Sequence, residues 1–300
     1  MPRSADTLSP LDAALFAAIT RRDGDEALAL IGRGADINAR EHYDVLIDRD
    51  RYPASRTPLM AAIAVGDTAL ARRLLAVSGI DLVTTDSFDH APALIGAARS
   101  GDQALVDAML AAGTDAGACS SDGRSAVAHA IEAGHPDIAC RLLDAGAGGD
   151  LIGPLVDAAF RGQDKVVDRL LAAGAPIDGI NGGGNTALVG AAWGGRDAVL
   201  VGLLDRGADL ASSGARALEF AANAGHAAIV RLLVERGVPP DGRNAYGWTP
   251  LMTAAWQGHD AVVSCLLALG ADRSVKDDAG KTAIDWAREG NRQRIVAMLA

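Results

Sequence analysis

Two series of glycines recur along the chain, and they constrain its fold more than any other feature. Each glycine of the first series has the same local context, and a glycine of the second series follows 12 or 13 residues later. The first series is Gly66, Gly101, Gly134, Gly162, Gly195, Gly225 and Gly258. The second series is Gly79, Gly113, Gly146, Gly174, Gly207, Gly237 and Gly270. Because the segment between partner glycines keeps an almost fixed length, the pattern predicts repeated units, each built around a rigid element.

The segment between partner glycines has the spacing of one helical face. Its apolar residues fall at positions i, i+1, i+4 and i+5, as in Val166, Val167, Leu170 and Leu171. The residue that follows a helix often adopts a positive φ, which glycine accepts without a Cβ clash. The segment therefore predicts a helix that ends before each glycine of the second series.

A second short helix is predicted upstream of each first-series glycine. Thr57-Pro58-Leu59 and Thr249-Pro250-Leu251 place threonine at the N-cap and proline at the first helical position. Alanine pairs, which let helices approach closely, recur within this helix at Ala97-Ala98, Ala158-Ala159, Ala191-Ala192, Ala221-Ala222 and Ala254-Ala255. Helices shorter than about 12 residues are not stable alone in water, so the units are expected to stack into a solenoid.

Residues 247–272 contain the repeated motif in full. It consists of Gly247-Trp248-Thr249-Pro250-Leu251-Met252-Thr253-Ala254-Ala255, Gly258-His259, Leu266-Leu267 and Gly270-Ala271-Asp272. This motif resembles an ankyrin repeat, and the resemblance recurs from about Leu11 to Ala300. It implies an all-α fold, an ankyrin-repeat α-solenoid of about nine helix-turn-helix units joined by β-hairpin loops.

The resemblance also divides the chain. Residues 10–300 are expected to form a single solenoid, and residues 1–9 a flexible N-terminus. Residues 40–56 form an insertion after the first repeat. The connections that precede Gly153 and Arg216 are shorter than the others.

Composition excludes several classes of protein. The chain carries 38 Asp and Glu against 28 Lys and Arg, a net charge of −10, which argues against nucleic acid as the partner. No apolar stretch approaches the roughly 20 residues of a membrane span, and no secretory signal is recognised. We therefore expect a cytoplasmic protein. We also expect it to act as a monomer and without a cofactor. The preference for arginine over lysine suggests a G+C-rich, bacterial source.

Cysteine usage points to no disulfide framework or zinc site. The three cysteines, Cys119, Cys140 and Cys265, have neither metal-like nor redox-like spacing. We therefore expect small buried or idle thiols.

Aromatic residues make up only 4% of the chain, yet five of them fall at positions predicted to be exposed. Phe160, Trp193 and Trp256 stand two residues before a first-series glycine, and Tyr246 and Trp248 lie in a predicted hairpin. The resemblance implies a binding surface made of hairpin tips and first helices along a concave groove. Because aromatic side chains are enriched at interaction hot spots, we predict that these five contact a partner. The alternative is that the rings only pack on neighbouring repeats.

Other residues extend or border this predicted surface. Arg99, Arg124 and Arg161 are expected to flank it and to pair with an acidic peptide, although a charge on a helix face is commonly just solvated. Gln257 is also predicted to contact the partner. By contrast, Phe220 and Trp286 each stand immediately before a buried alanine position and are predicted to be core residues.

The insertion of residues 40–56 is a second candidate surface. Tyr43, Val45 and Ile47 alternate with polar residues, which predicts a lengthened β-hairpin finger. The finger, with Tyr43 as a contact, is either a partner-specific projection or a tolerated surface insertion. A metal site made of His42, Asp44, Asp48 and Asp50 is disfavoured, because the spacing lacks the glycine and glutamate of an EF-hand loop.

No catalytic constellation is recognised. His135, His226 and His259 each follow a first-series glycine, which the resemblance identifies as a structural position at the start of the second helix. The run Gly182-Gly183-Gly184 lacks the lysine of a phosphate-binding loop and is interpreted as a hairpin tip. We therefore predict no enzyme activity and no metal site.

Two functions remain open from the sequence. The first is a non-catalytic scaffold that binds a protein or peptide in the groove, centred on repeats 5–8. The alternative is an acidic inhibitor or immunity-type protein that masks a basic enzyme or toxin, with association accelerated by electrostatic attraction.

Overall fold

The computed structural model of the protein describes residues 8–47, 50–84 and 92–300, and of residues 44–47 and 50–53 it describes the backbone only. The chain divides into two compact units, residues 1–150 and residues 151–300. Most of the predicted flexible N-terminus, residues 1–7, lies outside the described residues. Within the described part, the Ser9 hydroxyl accepts the Asp12 N–H and caps the first helix.

The first unit contains helix pairs and one β-hairpin. Its elements are α1 (Pro10–Thr20), α2 (Gly24–Gly32), β1 (Glu41–Ile47), β2 (Asp50–Arg56), α3 (Pro58–Ala64), α4 (Thr68–Leu75), α5 (Ala93–Ser100), α6 (Gln103–Ala111), α7 (Ala126–Ala133) and α8 (Pro136–Asp144). The first helices of successive pairs, α1, α3, α5 and α7, contact one another in that order, and the second helices form a parallel series. The unit therefore has two layers of helices.

The second unit repeats this arrangement. Its elements are α9 (Ile152–Arg161), α10 (Asp164–Ala172), α11 (Ala187–Gly194), α12 (Asp197–Asp205), α13 (Leu210–Ala224), α14 (Ala227–Glu235), α15 (Pro250–Gln257), α16 (Asp260–Ala268), α17 (Ala283–Glu289) and α18 (Gln293–Leu299). The first helices, α9 to α17 in odd numbers, again contact one another in sequence.

Helix ends follow from the residues that the sequence places there. The hydroxyls of Thr57, Thr186 and Thr249 each accept the backbone N–H three residues on, at the start of a first helix. All fourteen glycines of the two series have positive φ, between +71° and +99°. The prediction that the second-series glycines follow the end of the second helix is confirmed.

A side-chain hydrogen bond links the starts of α8, α12, α14, α16 and α18 to the preceding repeat. The Nε2–H groups of His135, His226 and His259 donate to backbone carbonyls of the previous first helix, those of Arg99, Trp193 and Asn223, at 2.9–3.2 Å. Arg196 and Arg292 replace histidine and donate Nε–H to the carbonyls of Phe160 and Trp256. The structural role predicted for the three histidines is confirmed.

This bond adds a reason for glycine at the first-series positions that face such a donor. A Cβ at Gly101 would lie 2.6 Å from Cε1 of His135, and a Cβ at Gly195 would lie 2.6 Å from Cε1 of His226. Both positions therefore require glycine for the close approach of the imidazole as well as for the positive φ.

The core is built from alanines and aliphatic side chains. The residues of the repeated alanine pairs, such as Ala191 and Ala192, are fully buried. Helices α9 and α11 approach each other closely because α11 has glycines on the facing side. A Cβ at Gly190 would lie 2.7 Å from the Val156 carbonyl oxygen, and one at Gly194 would overlap the carbonyl oxygen of Phe160.

The loops between successive helix pairs are mostly tight turns. Within the described residues, paired strands occur in β1–β2, and one isolated bridge joins Cys119 to Ser125. In the turns of residues 181–185, 244–248 and 277–281, which we call fingertips, the first side chain accepts the N–H groups two and four residues on. Gly182-Gly183-Gly184 occupies one fingertip, as interpreted from the sequence.

The seventh helix pair has a helix where the sixth, eighth and ninth pairs have a fingertip. The sequence predicts only a shortened hairpin before Arg216, but α13 already begins at Leu210 and runs for 15 residues. Asp209 caps it by accepting the Ala211 N–H. The helix passes through Gly214, where a Cβ would lie 2.8 Å from Cγ2 of Val238, so glycine permits this packing.

Candidate functional site

Three aromatic rings on successive first helices of the second unit form a continuous line. Phe160 of α9 and Trp193 of α11 have ring centroids 5.2 Å apart, and Trp193 lies 5.1 Å from Phe220 of α13. Both contacts are edge-to-face, the arrangement that the ring quadrupoles favour. We call Phe160, Trp193 and Phe220 the aromatic row.

The row arises from two register positions of the repeat. Phe160 and Trp193 stand two residues before a first-series glycine, whereas Phe220 stands five before Gly225. In α11 the position equivalent to Phe220 is Gly190, which adds no side chain beside Phe160. Phe160 therefore meets Trp193 instead, and Trp193 meets Phe220 of the next helix.

The rings remain accessible although they contact one another. Phe160 is 37% exposed and Trp193 is 43% exposed, while Phe220 is half-buried. The prediction that Phe220 is a core residue is wrong, because its ring lies on the outer side of the buried pair Ala221-Ala222, against Trp193. The alternative that the rings pack between repeats describes their contacts but leaves a large part of their surface uncovered.

Three tryptophans form a second group nearer the end of the chain. The rings of Trp248 and Trp286 lie 4.3 Å apart, and Trp256 meets Trp286 at 5.6 Å in a perpendicular contact. We call these residues the tryptophan cluster. Trp256 is 38% exposed and the other two are half-buried, so the prediction of Trp286 as a core residue is also wrong.

Polar contacts fix the orientation of Trp286. Its Nε1–H donates to Oδ2 of Asp277 at 2.9 Å, and Nζ of Lys281 lies 4.3 Å from its ring centroid. Burial of Asp277 opposes ionisation, but the Lys281 and Ala279 N–H groups and the Trp286 indole hold the pKa of this carboxyl below its usual value. Lys281 also pairs with Glu289 at 2.7 Å. Trp286 is therefore held by the fingertip of its own repeat.

The remaining aromatic prediction, Tyr246, lies at a fingertip. Its N–H donates to Oδ1 of Asn244, and its side chain is 76% exposed. Trp248 lies two residues further on in the same fingertip and turns towards Trp286. Only Tyr246 of this pair therefore projects freely from the turn.

Arg216 extends the aromatic row towards the fingertips. Its guanidinium carbon lies 5.1 Å from the Phe220 ring centroid, Nε–H donates to Oδ1 of Asn185 at 2.9 Å, and an Nη2–H donates to the Gly183 carbonyl at 3.2 Å. Sequence analysis did not single out Arg216. The available signal was its place at the shortened connection, four residues before Phe220, where the two side chains share one helix face.

Two other predicted residues lie beside the aromatic groups. Arg161 follows Phe160 in α9 and is exposed. Gln257 follows Trp256 and donates Nε2–H to Oδ1 of Asn223 at 2.8 Å, so it links two neighbouring first helices.

Arg99 and Arg124 belong to the first unit, where they meet around His129. Nε–H of Arg99 donates to Nδ1 of His129 at 3.3 Å, and Nε2 of His129 lies 3.3 Å from the Ser120 hydroxyl. Arg124 pairs with Glu132 at 2.8 Å. Burial, and then the charges of Arg99 and Arg124, lower the pKa of His129. These two arginines thus form a cluster with each other around a buried imidazole.

The predicted finger of the insertion is present as β1 and β2, which pair antiparallel with Tyr43 opposite Ala54. The Arg56 guanidinium carbon lies 4.9 Å from the Tyr43 ring centroid, and Arg56 also pairs with Glu41 at 2.9 Å. Tyr43 is therefore half-buried at the base of the finger. The side chains of Asp44, Asp48 and Asp50, named in the disfavoured metal hypothesis, lie outside the described part of the chain.

The described residues offer little for metal or membrane chemistry. Among them, no group of three or more His, Cys, Asp or Glu side chains is placed to hold a metal ion. Of the helices described, none has the length and apolarity needed to cross a bilayer. Burial raises the pKa of the Cys265 thiol, and Cys119 is exposed.

Charge is distributed unevenly between the two units. Residues 1–150 carry 22 acidic against 13 basic residues, whereas residues 151–300 carry 16 against 15. The excess negative charge therefore belongs almost entirely to the first unit. The aromatic row, the tryptophan cluster and Tyr246 belong to the nearly neutral second unit.

Comparison with protein families gives a clear match. A family model described as "Ankyrin repeats (3 copies)" matches residues 59–152, 94–178 and 218–300, which together cover about two thirds of the chain. The number of repeats, about nine from the sequence, is not fixed by this match.

Individual relatives are similar over parts of their length. "Ankyrin repeat protein nuc-2" of Neurospora crassa is 29% identical over 238 residues, which are 76% of this chain and 22% of the relative. "Ankyrin repeat and KH domain-containing protein mask-1" of Caenorhabditis elegans is 31% identical over 186 residues, 59% of this chain and 6% of the relative. "Protein phosphatase 1 regulatory subunit 27" of Homo sapiens is 38% identical over 73 residues, 24% of this chain and 47% of the relative.

These alignments span less than half the length of each of these three relatives. All three are eukaryotic, so they give no support to the bacterial source that the arginine preference suggests.

Proposed function

This chain belongs to the ankyrin repeat family, and on that premise we propose that it is a non-catalytic interaction module that holds a protein or peptide. Ankyrin repeats generally mediate protein–protein interaction. The proposed contact surface consists of the aromatic row, the tryptophan cluster and the Tyr246 fingertip, all within residues 151–300. Arg161 and Gln257 border it.

The observation that carries the proposal is the exposure of the rings. In a chain with only 4% aromatic residues, Phe160, Trp193, Tyr246 and Trp256 each leave more than a third of their surface uncovered. Exposed apolar surface of this kind is typical of interaction sites, and aromatic side chains contribute most of the affinity at many interfaces. A partner would complete the burial that the neighbouring repeats leave unfinished.

The same proposal covers organisation and setting. Residues 10–300 are proposed to form one stack of about nine repeats that acts as a cytoplasmic monomer without a cofactor. The finger at residues 40–56, with Tyr43 at its base, is a secondary contact region. The cluster of Arg99 and Arg124 belongs to the first unit and is a separate candidate contact.

One observation favours a second candidate function, the masking of a basic enzyme or toxin. The excess of nine acidic over basic residues within residues 1–150 would attract a basic partner to the first unit. The association rate with such a partner should then fall steeply with ionic strength, and it should change little on substitution of Trp193 in the second unit.

A peptide-display experiment tests the primary proposal. A phage library of random 12-residue peptides is selected on the immobilised full chain, and enriched peptides are measured against the wild type and the Trp193→Ala and Trp256→Ala variants. Loss of a hot-spot side chain costs about 2 kcal/mol or more, which corresponds to a weakening of about 30-fold.

The matched control is Ile180→Ala, which removes an apolar side chain that is 64% exposed in the same unit but outside the aromatic groups. Its affinity should equal that of the wild type. Urea unfolding of every variant checks that the fold is retained. Equal binding by the wild type and both tryptophan variants, all folded, would contradict the proposed surface.

A further inference from the structure

The missing fingertip of the seventh helix pair leaves a notch beside the aromatic row. The notch has a volume of about 250 Å³ and is lined by Ser212, Ala215, Arg216, Glu219, Arg243 and Trp248, among others. Its walls are the extended helix α13 on one side and the loop of residues 242–248 on the other. The notch opens where a fingertip would otherwise stand.

The size of the notch limits what it can hold. Sites for drug-sized ligands and cofactors usually enclose about 300–1,000 Å³. A space of about 250 Å³ is better matched to one side chain of a partner than to a free cofactor. Its position next to Phe220 and Trp248 makes it continuous with the proposed interaction surface.

Arg216 brings to the notch a guanidinium that forms no ion pair within the second unit. Its guanidinium contacts the Asn185 amide oxygen, the Gly183 carbonyl and the Phe220 ring, all of them neutral. In the fully described second unit no carboxylate forms an ion pair with it, whereas Arg243 across the notch pairs with Asp278 at 3.1 Å. Because these contacts hold the guanidinium in place and leave it exposed, little side-chain entropy remains to be lost on binding.

We propose that the partner is a peptide segment carrying a carboxylate side chain next to an apolar one, with the carboxylate on Arg216 in the notch and the apolar side chain on Trp193 and Phe220. This inference rests on the proposed function and specifies its partner. Guanidinium groups bind carboxylates through paired, charge-assisted hydrogen bonds, and a guanidinium stacked on a ring is geometrically suited to do so.

The Glu219 carboxylate also lines the notch, and it determines whether a substitution there raises or lowers the affinity for an acidic peptide. Its Oε1 accepts a hydrogen bond from Nδ2 of Asn244 at 2.7 Å, which directs the carboxylate towards the loop of residues 242–248. It nevertheless repels a second carboxylate in the same notch. Glu219→Gln should therefore strengthen the binding of an acidic peptide, an effect that purely apolar binding would not produce.

The test uses peptides enriched from the random 12-residue phage library on the full chain. We expect enriched sequences to place Asp or Glu within two residues of an aliphatic or aromatic side chain. One such peptide is synthesised with its acidic residue and as the matching amide, Asp→Asn or Glu→Gln. Affinities of both peptides are then measured for the wild type, Arg216→Gln, Arg216→Lys, Glu219→Gln and the control Arg236→Gln.

The expected pattern is specific to a carboxylate on Arg216. Arg216→Gln should weaken the acidic peptide at least tenfold and leave the amide peptide nearly unchanged, and Arg216→Lys should restore part of the loss. Arg236→Gln removes the same charge from an exposed residue after α14 and should have no effect. Urea midpoints identify any variant whose fold is impaired. If Arg216→Gln is impaired, the affinities of the acidic and amide peptides are compared in Arg216→Lys instead.

Two other results separate the failures. This inference would be overturned by enriched peptides without acidic residues, or by equal weakening of acidic and amide peptides in Arg216→Gln. The proposed function would still stand if binding depended on Trp193. Binding insensitive to Trp193, or no enriched peptide at all, would overturn both.

Discussion

The backbone at Gly194 lies directly against the carbonyl oxygen of Phe160, so that α11 contacts α9 without any intervening side chain. A Cβ at residue 194 would occupy the space of that oxygen. Because the neighbouring atom belongs to backbone and not to a flexible side chain, the two helices would have to move apart. This contact also sets the distance between the rings of Phe160 and Trp193.

Gly194→Ala is therefore expected to destabilise the second unit. Inserting one carbon into a packed contact costs about 1–3 kcal/mol, and a backbone clash places this substitution at the upper end. Urea unfolding followed by circular dichroism measures the change. Gly182→Ala is the matched control, since a Cβ there meets nothing within 4 Å, and its midpoint should not shift.

A second prediction concerns the bond between His259 and the Asn223 carbonyl at 2.9 Å. His259→Ala leaves that carbonyl without its donor and should lower the free energy of unfolding by about 1–3 kcal/mol. His259→Arg should recover part of the loss, because Arg292 makes the equivalent bond to Trp256. Equal stability of the alanine and wild-type proteins would show that the bond contributes nothing.

A third prediction is a pH dependence centred on His129. Burial, Arg99 and Arg124 lower its pKa in the folded protein below the 6.5 of an unfolded chain. The unfolded state therefore binds the proton more readily, so the stability that this residue contributes is fully present above pH 6.5 and is lost as the pH falls below it.

Urea midpoints at about pH 5 and about pH 7.5 test this dependence. The wild type should lose more stability between the two pH values than His129→Gln, which keeps a polar side chain but cannot be protonated. His42→Gln, an exposed histidine in the same unit, serves as the control and should behave like the wild type. Identical pH dependence in all three proteins would contradict the assignment.

The fourth prediction is that the aromatic row couples neighbouring repeats. Edge-to-face pairs contribute about 0.5–1.5 kcal/mol beyond the burial of their surface. A double-mutant cycle with Phe160→Leu and Trp193→Leu, measured by urea unfolding, should yield a coupling energy in this range. Strict additivity of the two substitutions would show that the 5.2 Å contact is energetically neutral.

Much of the architecture could be predicted because it depends on local chemistry. Thr186 at an N-cap and Gly174 after a helix act through bonds and torsions within a few residues of themselves, so their meaning is legible in the sequence. The histidine bonds were also predictable as structural, although the carbonyl that accepts each of them lies in the preceding repeat.

The errors at Phe220 and Trp286 came from contacts between repeats. Each precedes an alanine position on a helix that faces the core, and helical spacing alone places it beside that core. Which neighbour covers it depends on the adjacent repeat, where Trp193 or Trp256 happens to stand. One signal was present in the sequence: Asp157 and Gly190 occupy the same register as Phe220, so that position does not demand a buried apolar side chain.

The start of α13 could not be anticipated for a related reason. A shortened connection is visible in the sequence, but whether Leu210 to Ala215 form a tight turn or helix depends on the Asp209 cap and on the fit of Gly214 against Val238. The notch beside Arg216 exists because these residues form a helix and not a turn. It was therefore accessible only from the structure.

The hydrogen bonds that the histidines and arginines send back to the preceding repeat have a consequence for how such a chain changes over evolutionary time. In every case the acceptor is a main-chain carbonyl, and it is supplied by residues as different as Phe160, Trp193 and Asn223. The receiving repeat therefore needs no particular side chain at that place. A gene duplication that copied one repeat, or a recombination that removed one, would therefore leave this bond possible wherever the following repeat carries the histidine or arginine donor.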